Sequence, residues 1–258
     1  MNSLQSKNLY HRDYFTQQVD GHADFAGFKG GFAQLHYRYQ RNVELLHLRP
    51  EHRLLEIGCG RGEVVIFHSL RGGVATGLDY AEDAIALARG KAEELGVACD
   101  FRTASFSEMP VQSGFDRILA SEFIEHISAT EASLFWELAH RALKPGGRLL
   151  VYTYPNTLQR RIGYPIQRIL VFLLTGKKLP RLQTDMANEH YQRYHLNEQS
   201  LSRLKSAAAR AGFLNIKVFY DMTAGRPRTA AGRLFQKLAH RGPWRHWFLN
   251  DLICVAQR

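Results

Sequence analysis

The chain has 258 residues, a formal net charge of +10 and 45% hydrophobic residues. This length suffices for one α/β domain with a substantial core, and no apolar run approaches the roughly 20 residues that a membrane-spanning helix needs. We see no charged-then-apolar leader, and three scattered cysteines form neither a disulfide framework nor a zinc pattern, so a cytoplasmic protein is expected.

The first 40 residues precede the first predicted strand and are rich in aromatic side chains, with glycines at 27, 30 and 31 in their middle. We interpret residues 1–40 as a separate N-terminal segment and residues 41–258 as the main domain. The aromatic residues of the segment are Tyr10, Tyr14, Phe15, Phe25, Phe28, Phe32, Tyr37 and Tyr39.

A strand followed by a glycine-rich turn organises the chain. The apolar run over 54–57 predicts a buried parallel strand, Gly58, Gly60 and Gly62 follow it, and residues 64–70 predict a helix. Strand, turn and helix form the first crossover of a doubly wound sheet, where such folds bind nucleotide-like ligands. Glycine lets the backbone turn sharply and admits a ligand with no Cβ in the way.

The turn differs from a dinucleotide fingerprint, whose G-x-G-x-x-G spacing places a pyrophosphate on a helix N-terminus. Glu56 precedes the first glycine by two residues, and a carboxylate there suits the ammonium and sulfonium groups of S-adenosylmethionine. Asp79 ends the next apolar run and is expected to accept hydrogen bonds from both ribose hydroxyls. An acidic residue there serves NAD equally well, so Asp79 alone does not separate the two cofactors.

Helices and strands then alternate to the end of the chain, as expected for a doubly wound sheet. The predicted helices cover 82–95, 130–143 and 198–211, the last with Asn197 as its N-cap, and a turn over 144–147 follows the second. The predicted strands cover 100–106, 115–121, 148–154, 213–220 and 249–256.

Four stretches (54–63, 77–79, 115–127 and 143–151) together resemble the successive motifs of class I S-adenosylmethionine-dependent methyltransferases, closest to small-molecule O-methyltransferases of the ubiquinone-biosynthesis type. The resemblance covers about residues 40–220. It implies an α/β fold with a doubly wound, Rossmann-like seven-stranded sheet, six strands parallel and the last antiparallel, with helices on both faces. It also implies that residues 1–40 cover the cofactor and shield the sulfonium methyl from water; the alternative is that their aromatics only pack on the sheet edge.

The same resemblance and the sheet topology indicate the site. Relatives often carry an acid near Ser105 that contacts the adenine amino group; here backbone groups or the Ser105 hydroxyl would substitute. Residues 121–126 leave a buried strand beside the cofactor. The expected cofactor-binding residues are Glu56, Gly58, Cys59, Gly60, Gly62, Asp79, Tyr80, Ser105, Phe106, Ser121 and Glu122.

Two histidines are the candidate catalytic residues. His126 resembles the histidine of the family's Glu-His-[Ile/Val] signature, and His190 matches a histidine before the next helix better than His195 does. A histidine near neutral pKa suits removal of a hydroxyl proton. The alternatives are a capping or packing role for His126 and a surface position for His190 and His195. No carboxylate-rich cluster indicates a metal.

Two segments carry the positive charge. Residues 156–184, in an insertion over 156–190 after the fifth strand, contain six Lys or Arg and no acid among many aliphatic residues, and residues 222–250 repeat that charge with interleaved aromatics. This composition predicts contact with an anionic membrane or an amphiphile; a soluble lid and plain packing remain alternatives. Peripheral attachment at the inner face of the membrane stays open.

We therefore predict methyl transfer from S-adenosylmethionine, which leaves S-adenosylhomocysteine, to a hydroxyl of a small-molecule, lipid-linked or glycan acceptor. The first alternative is an RNA or other nucleic-acid methyltransferase, which the sequence pI of about 9.7 favours and the aliphatic character of 162–174 disfavours. The second alternative is an NAD-dependent oxidoreductase, which the glycine spacing disfavours. A binding protein that has lost transfer is a third.

Overall fold

A computed structural model describes residues 10–18, 21–109, 114–180, 195–221 and 241–258, with the single residues Leu234 and Lys237. Seven strands form one sheet in the order β3-β2-β1-β4-β5-β7-β6. β7 is antiparallel to both neighbours and every other pair is parallel, which confirms the predicted arrangement of six parallel strands and one antiparallel strand. The strands are β1 Arg53–Ile57, β2 Val74–Asp79, β3 Asp100–Thr103, β4 Phe115–Ser121, β5 Leu143–Thr153, β6 Leu214–Tyr220 and β7 Leu252–Gln257.

Helices cover both faces of this sheet. In the described residues the α-helices are α1 His22–Ala26, α2 Tyr37–Leu46, α3 Glu63–Leu70, α4 Glu82–Glu94, α5 Ala129–Ala142, α6 Tyr164–Thr175, α7 Leu201–Arg210 and α8 Arg245–Phe248. Short 3₁₀ segments cover Phe32–Gln34, Phe106–Glu108, Ile124–His126 and Gly242–Trp244, and π-helical turns cover Tyr14–Gln18 and Gln159–Gly163.

The core has two layers because successive strand residues point to opposite faces. Leu54 belongs to the layer beneath α2, α3 and α4, whereas Leu55 belongs to the layer beneath α5 and α7. Both side chains are fully buried. A strand that is buried on both faces has a nearly continuous apolar sequence. The apolar run over 54–57 therefore predicted β1 correctly.

The turn predicted over 144–147 is not a separate connection. β5 begins at Leu143, directly after α5, and pairs that residue with Phe115 before the register shifts to Arg117 opposite Arg148. Residues 144–147 therefore bulge out of the β4–β5 ladder. Their glycines suit this bulge as well as they suit a turn, so composition alone did not distinguish the two.

The helix predicted over 198–211 begins later than expected. Its N-cap is Ser200, whose Oγ accepts a hydrogen bond from the Arg203 amide at 3.3 Å. The predicted cap, Asn197, instead donates from Nδ2 to the Ile124 carbonyl at 3.3 Å. The prediction was wrong because a tertiary contact recruits Asn197 before the helix starts.

The described parts of the two basic segments meet. We call residues 158–178 and 241–247 the joined surface. Asn156 Nδ2 donates to the carbonyls of His246 and Leu249, each at 2.9 Å, and a Cβ at Gly163 would overlap the Trp247 carbonyl. The exposed large apolar residues of the joined surface are Leu158, Ile162, Ile169, Leu170, Phe172, Leu173, Leu174 and Trp244.

Helix α6 provides most of this apolar exposure without spanning a bilayer. It has 12 residues, and none of the helices in the described ranges is long and apolar enough to cross a membrane. Leu173 and Leu174 are 72% and 79% exposed. A contiguous patch of exposed aliphatic side chains often marks an interaction surface, whereas isolated exposed ones are normal.

A capping box defines the start of α5. Ser128 Oγ accepts from the Glu131 amide at 3.2 Å, and a Glu131 carboxylate oxygen accepts from the Ser128 amide at 2.8 Å. These two hydrogen bonds satisfy amides that the helix itself cannot pair. The connection from the β4 edge to the core helix is thereby fixed.

We expect Ser128→Ala to lower the free energy of unfolding by about 1 kcal/mol, because it removes the N-cap acceptor. Urea denaturation measures this change. The control is Ser133→Ala, since the Ser133 hydroxyl only donates to the Ala129 carbonyl on the exposed face of the same helix. Equal effects of the two substitutions would contradict the capping assignment.

Candidate cofactor and acceptor site

The three glycines of the β1–α3 loop all need a left-handed backbone. Their φ angles are 68° at Gly58, 52° at Gly60 and 76° at Gly62, a region that side chains with a Cβ rarely adopt. The amides of Gly58 and Cys59 both donate to the Leu78 carbonyl, at 2.8 and 3.0 Å. The loop is thus fixed against the end of β2, while the Cys59 side chain is buried in the core.

Asp79 connects this loop to β2. Its Oδ2 accepts from the Gly60 amide at 2.9 Å and its Oδ1 accepts from the Ala81 amide at 2.9 Å. Burial raises the pKa of Asp79, and main-chain hydrogen bonds counteract that rise. A carboxylate has about four acceptor positions, so Asp79 retains acceptor capacity for hydroxyl groups of a ligand.

Glu56 lies at the end of β1 and is almost fully buried. Burial, followed by the negative charge of Glu63, raises the pKa of Glu56 well above its usual range, and a hydrogen bond from the Val65 amide only partly offsets this. Its Oε2 has no hydrogen-bond partner within the described ranges. A buried acceptor of this kind costs free energy unless a donor reaches it, so Glu56 suits a cationic ligand.

The predicted adenine side lies next to Asp79. The Ala104 amide donates to the Asp79 carbonyl at 2.9 Å and so extends β3 toward Ser105. The Ser105 hydroxyl caps the following 3₁₀ segment by accepting from the Ser107 amide at 3.4 Å. Phe106 is buried, with its ring centroid 5.5 Å from that of Phe123. Ser105 therefore has a structural role besides any ligand contact.

Two residues of α2, which were not expected from the sequence to lie near the site, contact the end of β4. Asn42 Nδ2 donates to the Ser121 hydroxyl at 2.9 Å, and Arg38 forms an ion pair with Glu122 at 2.9 Å. Glu122 has a positive φ of 54°, which is strained for a residue with a Cβ and is frequent at functional sites. Polar residues four apart on the buried face of an amphipathic helix were the signal in the sequence.

The described part of the N-terminal segment lies across the glycine loop. Phe15 is buried, and a Cβ on Gly60 would lie 4.0 Å from its ring. The Arg61 guanidinium donates to the Phe15 carbonyl at 3.1 Å and pairs with Glu63 at 2.8 Å. Tyr10 stacks edge-on against Tyr80, with centroids 5.5 Å apart. These contacts join the segment to the predicted cofactor-binding loop.

Tyr10 also contacts His126, one of the predicted catalytic residues. Its hydroxyl lies 3.1 Å from Nδ1 of His126. His126 in turn meets the His195 ring edge-on, with centroids 5.1 Å apart. His190, the other predicted catalytic histidine, lies outside the described residues. The structure thus brings His126 together with His195. From the sequence, His190 was expected to match the family histidine better than His195.

Glu125, the residue before His126, is fully buried. Its Oε2 accepts a hydrogen bond from the Thr153 hydroxyl at 2.8 Å. Burial is the main cause that raises the pKa of Glu125 to about 8. The carboxyl group is therefore largely protonated at neutral pH, where an ordinary glutamate is ionised.

Part of this chain is similar to known proteins. Residues 54–147 match the family model described as a methyltransferase domain. Ubiquinone biosynthesis O-methyltransferase of Nitrobacter winogradskyi is 34% identical over 116 residues, covering 45% of this chain and 44% of the relative. The Pseudomonas aeruginosa PAO1 enzyme of that name is 35% identical over 105 residues, covering 39% of this chain and 44% of the relative. The chain thus spans less than half the length of these relatives.

Solved structures show the same fold. An S-adenosylmethionine-dependent methyltransferase from Archaeoglobus fulgidus aligns with a TM-score of 0.59 at 18% identity, over 93% of this chain and all of that one. Phosphoethanolamine N-methyltransferase 2 of Haemonchus contortus, solved with S-adenosyl-L-methionine, aligns with a TM-score of 0.61 at 18% identity, over 96% of this chain and 59% of that one. The predicted resemblance is confirmed: residues 54–147 match a methyltransferase domain, and the described residues have the fold of these solved methyltransferases.

The raised pKa of Glu125 predicts a pH-dependent loss of stability. Between the ordinary glutamate pKa and about 8, the folded chain keeps a proton that the unfolded chain releases, so stability falls as pH rises through this window. Glu125→Gln cannot ionise, and we expect its free energy of unfolding to decline less than that of the parent chain between pH 5 and pH 8. Urea titrations at both pH values measure the difference.

The control for this prediction is Glu137→Gln on the exposed face of α5. It should leave the pH dependence of the parent chain unchanged. If Glu125→Gln lost as much stability as the parent over the same pH range, the protonated carboxyl would be ruled out.

Proposed function

We propose that this class I methyltransferase domain transfers the methyl group of S-adenosylmethionine to a hydroxyl group of a small or amphiphilic acceptor. The observation that carries the proposal is Asp79, bound to the Gly60 amide beside the buried, partly unpaired Glu56. One carboxylate suits ribose hydroxyls and the other suits an ammonium group. When bound, S-adenosylmethionine supplies an electrophilic methyl group on a sulfonium.

The helix that follows the loop argues against a dinucleotide. Glu63 opens α3 and is buried at its N-terminus, the position where a pyrophosphate would otherwise bind. Its ion pair with Arg61 already uses that end of the helix. A second anion there would be repelled, which disfavours the oxidoreductase alternative.

We assign the cofactor contacts as follows. The methionine part lies toward Glu56 and Ser121, where Arg38 offers a cation for its carboxylate. The glycine loop allows close approach of the ligand, and Tyr10 and Phe15 cover it. The other expected contacts are Gly58, Cys59, Gly60, Gly62, Asp79, Tyr80, Ser105, Phe106 and Glu122.

On the acceptor side, His126 is held by the Tyr10 hydroxyl and is suited to orient an acceptor hydroxyl or take its proton. Positioning and exclusion of water would supply most of the rate enhancement, because the leaving group comes with the cofactor. We retain His190 as a second candidate from the family resemblance. The relatives whose names specify O-methylation support a hydroxyl acceptor.

We further propose that the joined surface contacts an anionic membrane, which would place the chain at the inner face of that membrane. Its seven Lys or Arg residues have no acid among them in sequence, and its aliphatic side chains are exposed. Basic residues attract anionic lipid headgroups, while apolar residues enter the boundary below them. Nucleic acid explains the charge but not the exposed leucines.

Calorimetry tests the cofactor assignment. We expect the parent chain to bind S-adenosylmethionine with measurable heat and Asp79→Ala to lose at least 100-fold in affinity, because the substitution removes the ribose acceptor and leaves two loop amides unpaired. Asp100→Ala, at the opposite end of the parallel strands, is the control and should bind as the parent does. Heat with NAD but none with S-adenosylmethionine would overturn the proposed function.

Flotation with phosphatidylglycerol-rich vesicles tests the membrane contact. The double variant Leu173→Ser, Leu174→Ser should lose most vesicle binding and keep its melting temperature, since both side chains are exposed. The matched control is Val74→Ser, Leu214→Ser, which changes residues 58% and 64% exposed elsewhere on the surface. If the parent chain ignored anionic vesicles, or if both double variants bound alike, a soluble acceptor with no membrane contact would be favoured.

A further inference from the structure

The segment that carries His195 is fixed to the end of β4 by its backbone. The amides of Leu196 and Asn197 both donate to the Glu125 carbonyl, at 2.8 and 3.1 Å. The Asn197 side chain adds a hydrogen bond to the Ile124 carbonyl. Three hydrogen bonds therefore hold Leu196 and Asn197, the residues directly after His195, against the 3₁₀ turn that contains His126.

His195 also closes a chain of ring contacts over the carboxyl edge of β4 and β5. Its ring meets His126 edge-on, and on another side it meets Tyr154 with centroids 5.7 Å apart. Tyr154 stacks with the Arg38 guanidinium at 5.0 Å, and Arg38 pairs with Glu122. His195 thus bridges the Tyr10–His126 pair and the residues assigned to the methionine end of the cofactor.

The surroundings keep this imidazole neutral. Burial, followed by the charges of His126 and Arg160, lowers the pKa of His195 to about 3. A neutral ring keeps a nitrogen lone pair for an incoming proton throughout the physiological pH range. Its low basicity is sufficient, because a hydroxyl oxygen that gains a methyl group becomes an oxonium, which is far more acidic than any imidazolium.

We propose that His195 is a catalytic residue that receives the acceptor proton; this rests on the proposed function. As the oxygen lone pair forms the new O–CH₃ bond, the S–CH₃ bond breaks and its electron pair returns to sulfur. The O–H electron pair returns to oxygen, and the proton passes to the His195 ring and then to water. The positive charge of the sulfonium leaves with the proton, so the neutral ether, the neutral thioether and the released proton account for all atoms and charges. His126 orients the same hydroxyl.

Steady-state kinetics test the proposal with two probe acceptors, an alkylated catechol and an alkyl glucoside. The release of S-adenosylhomocysteine measures turnover. We expect His195→Gln to lower kcat about 100-fold while the Kd for S-adenosylmethionine changes less than about twofold. His140→Gln is the matched control: the His140 ring meets Phe213 at 5.0 Å and 86°, much as His195 meets His126 at 5.1 Å and 87°. It should retain parent kcat.

Chemical rescue separates proton transfer from packing. Free imidazole should restore part of the turnover of His195→Ala, since it can occupy the vacated space and accept the proton. Parent-level turnover of His195→Gln, a large loss of cofactor affinity, or loss of turnover that imidazole does not restore would each overturn the proposal. A parent chain that fails to bind S-adenosylmethionine would instead refute the proposed function.

Nuclear magnetic resonance of the imidazole carbons gives a test without cofactor or acceptor. The His195 resonances of the parent chain should not titrate between pH 5 and pH 8, and those of His126 should shift in His195→Gln because the rings are in contact. Unchanged His126 resonances in His195→Gln would overturn the contact between the two rings on which the proposal rests.

Discussion

A cluster of carboxyl groups buried at the carboxyl edge of the sheet is the constraint on which this site depends. Glu56, Glu63, Asp79 and Glu125 all lie at this edge, and burial raises the pKa of each. Isolated buried carboxylates are costly, and in the absence of a cation they take up protons instead. Arg61 compensates Glu63, while Glu56 keeps an oxygen without a partner among the described residues. The edge therefore favours a positively charged ligand over the diphosphate that many doubly wound folds bind.

The same constraint explains how the N-terminal segment is attached. Arg61 belongs to the glycine loop, yet its guanidinium is buried and donates to the Phe15 carbonyl. The ion pair with Glu63 and the stacking of Phe25, 4.9 Å from the guanidinium carbon, hold it in place. A buried arginine without these partners would be strongly destabilising. Buried contacts therefore join the N-terminal segment to the glycine loop, although 46 residues of sequence separate Phe15 from Arg61.

The sequence predicted the parallel sheet, the glycine turn after β1 and the position of Asp79 at the end of β2, because each depends on local pattern. Apolar runs, glycine spacing and strand ends are properties of neighbouring residues. It did not predict the contacts of Arg38 and Asn42 with the end of β4, or that of His195 with His126, because these depend on how distant segments meet. It also misplaced the cap at Asn197, where a contact with Ile124 prevails over local capping preference. In each of these places a contact between distant segments determines the structure, and the local sequence pattern does not show it.

Asn156 connects the joined surface to the strand end that carries Tyr154, next to the proposed acceptor side of the site. It follows β5 two residues after Tyr154, which contacts His195, and its side chain and backbone bind the carbonyls of His246, Leu249 and Asn250. The neighbouring Thr157 donates to Gln199 from its amide and its hydroxyl, just before α7. The joined surface thus starts four residues after Tyr154, whose ring contacts the proposed proton acceptor. An acceptor with an apolar tail could keep the tail at that surface while its hydroxyl reaches the histidines, which makes an amphiphile a better fit to this geometry than a fully polar molecule.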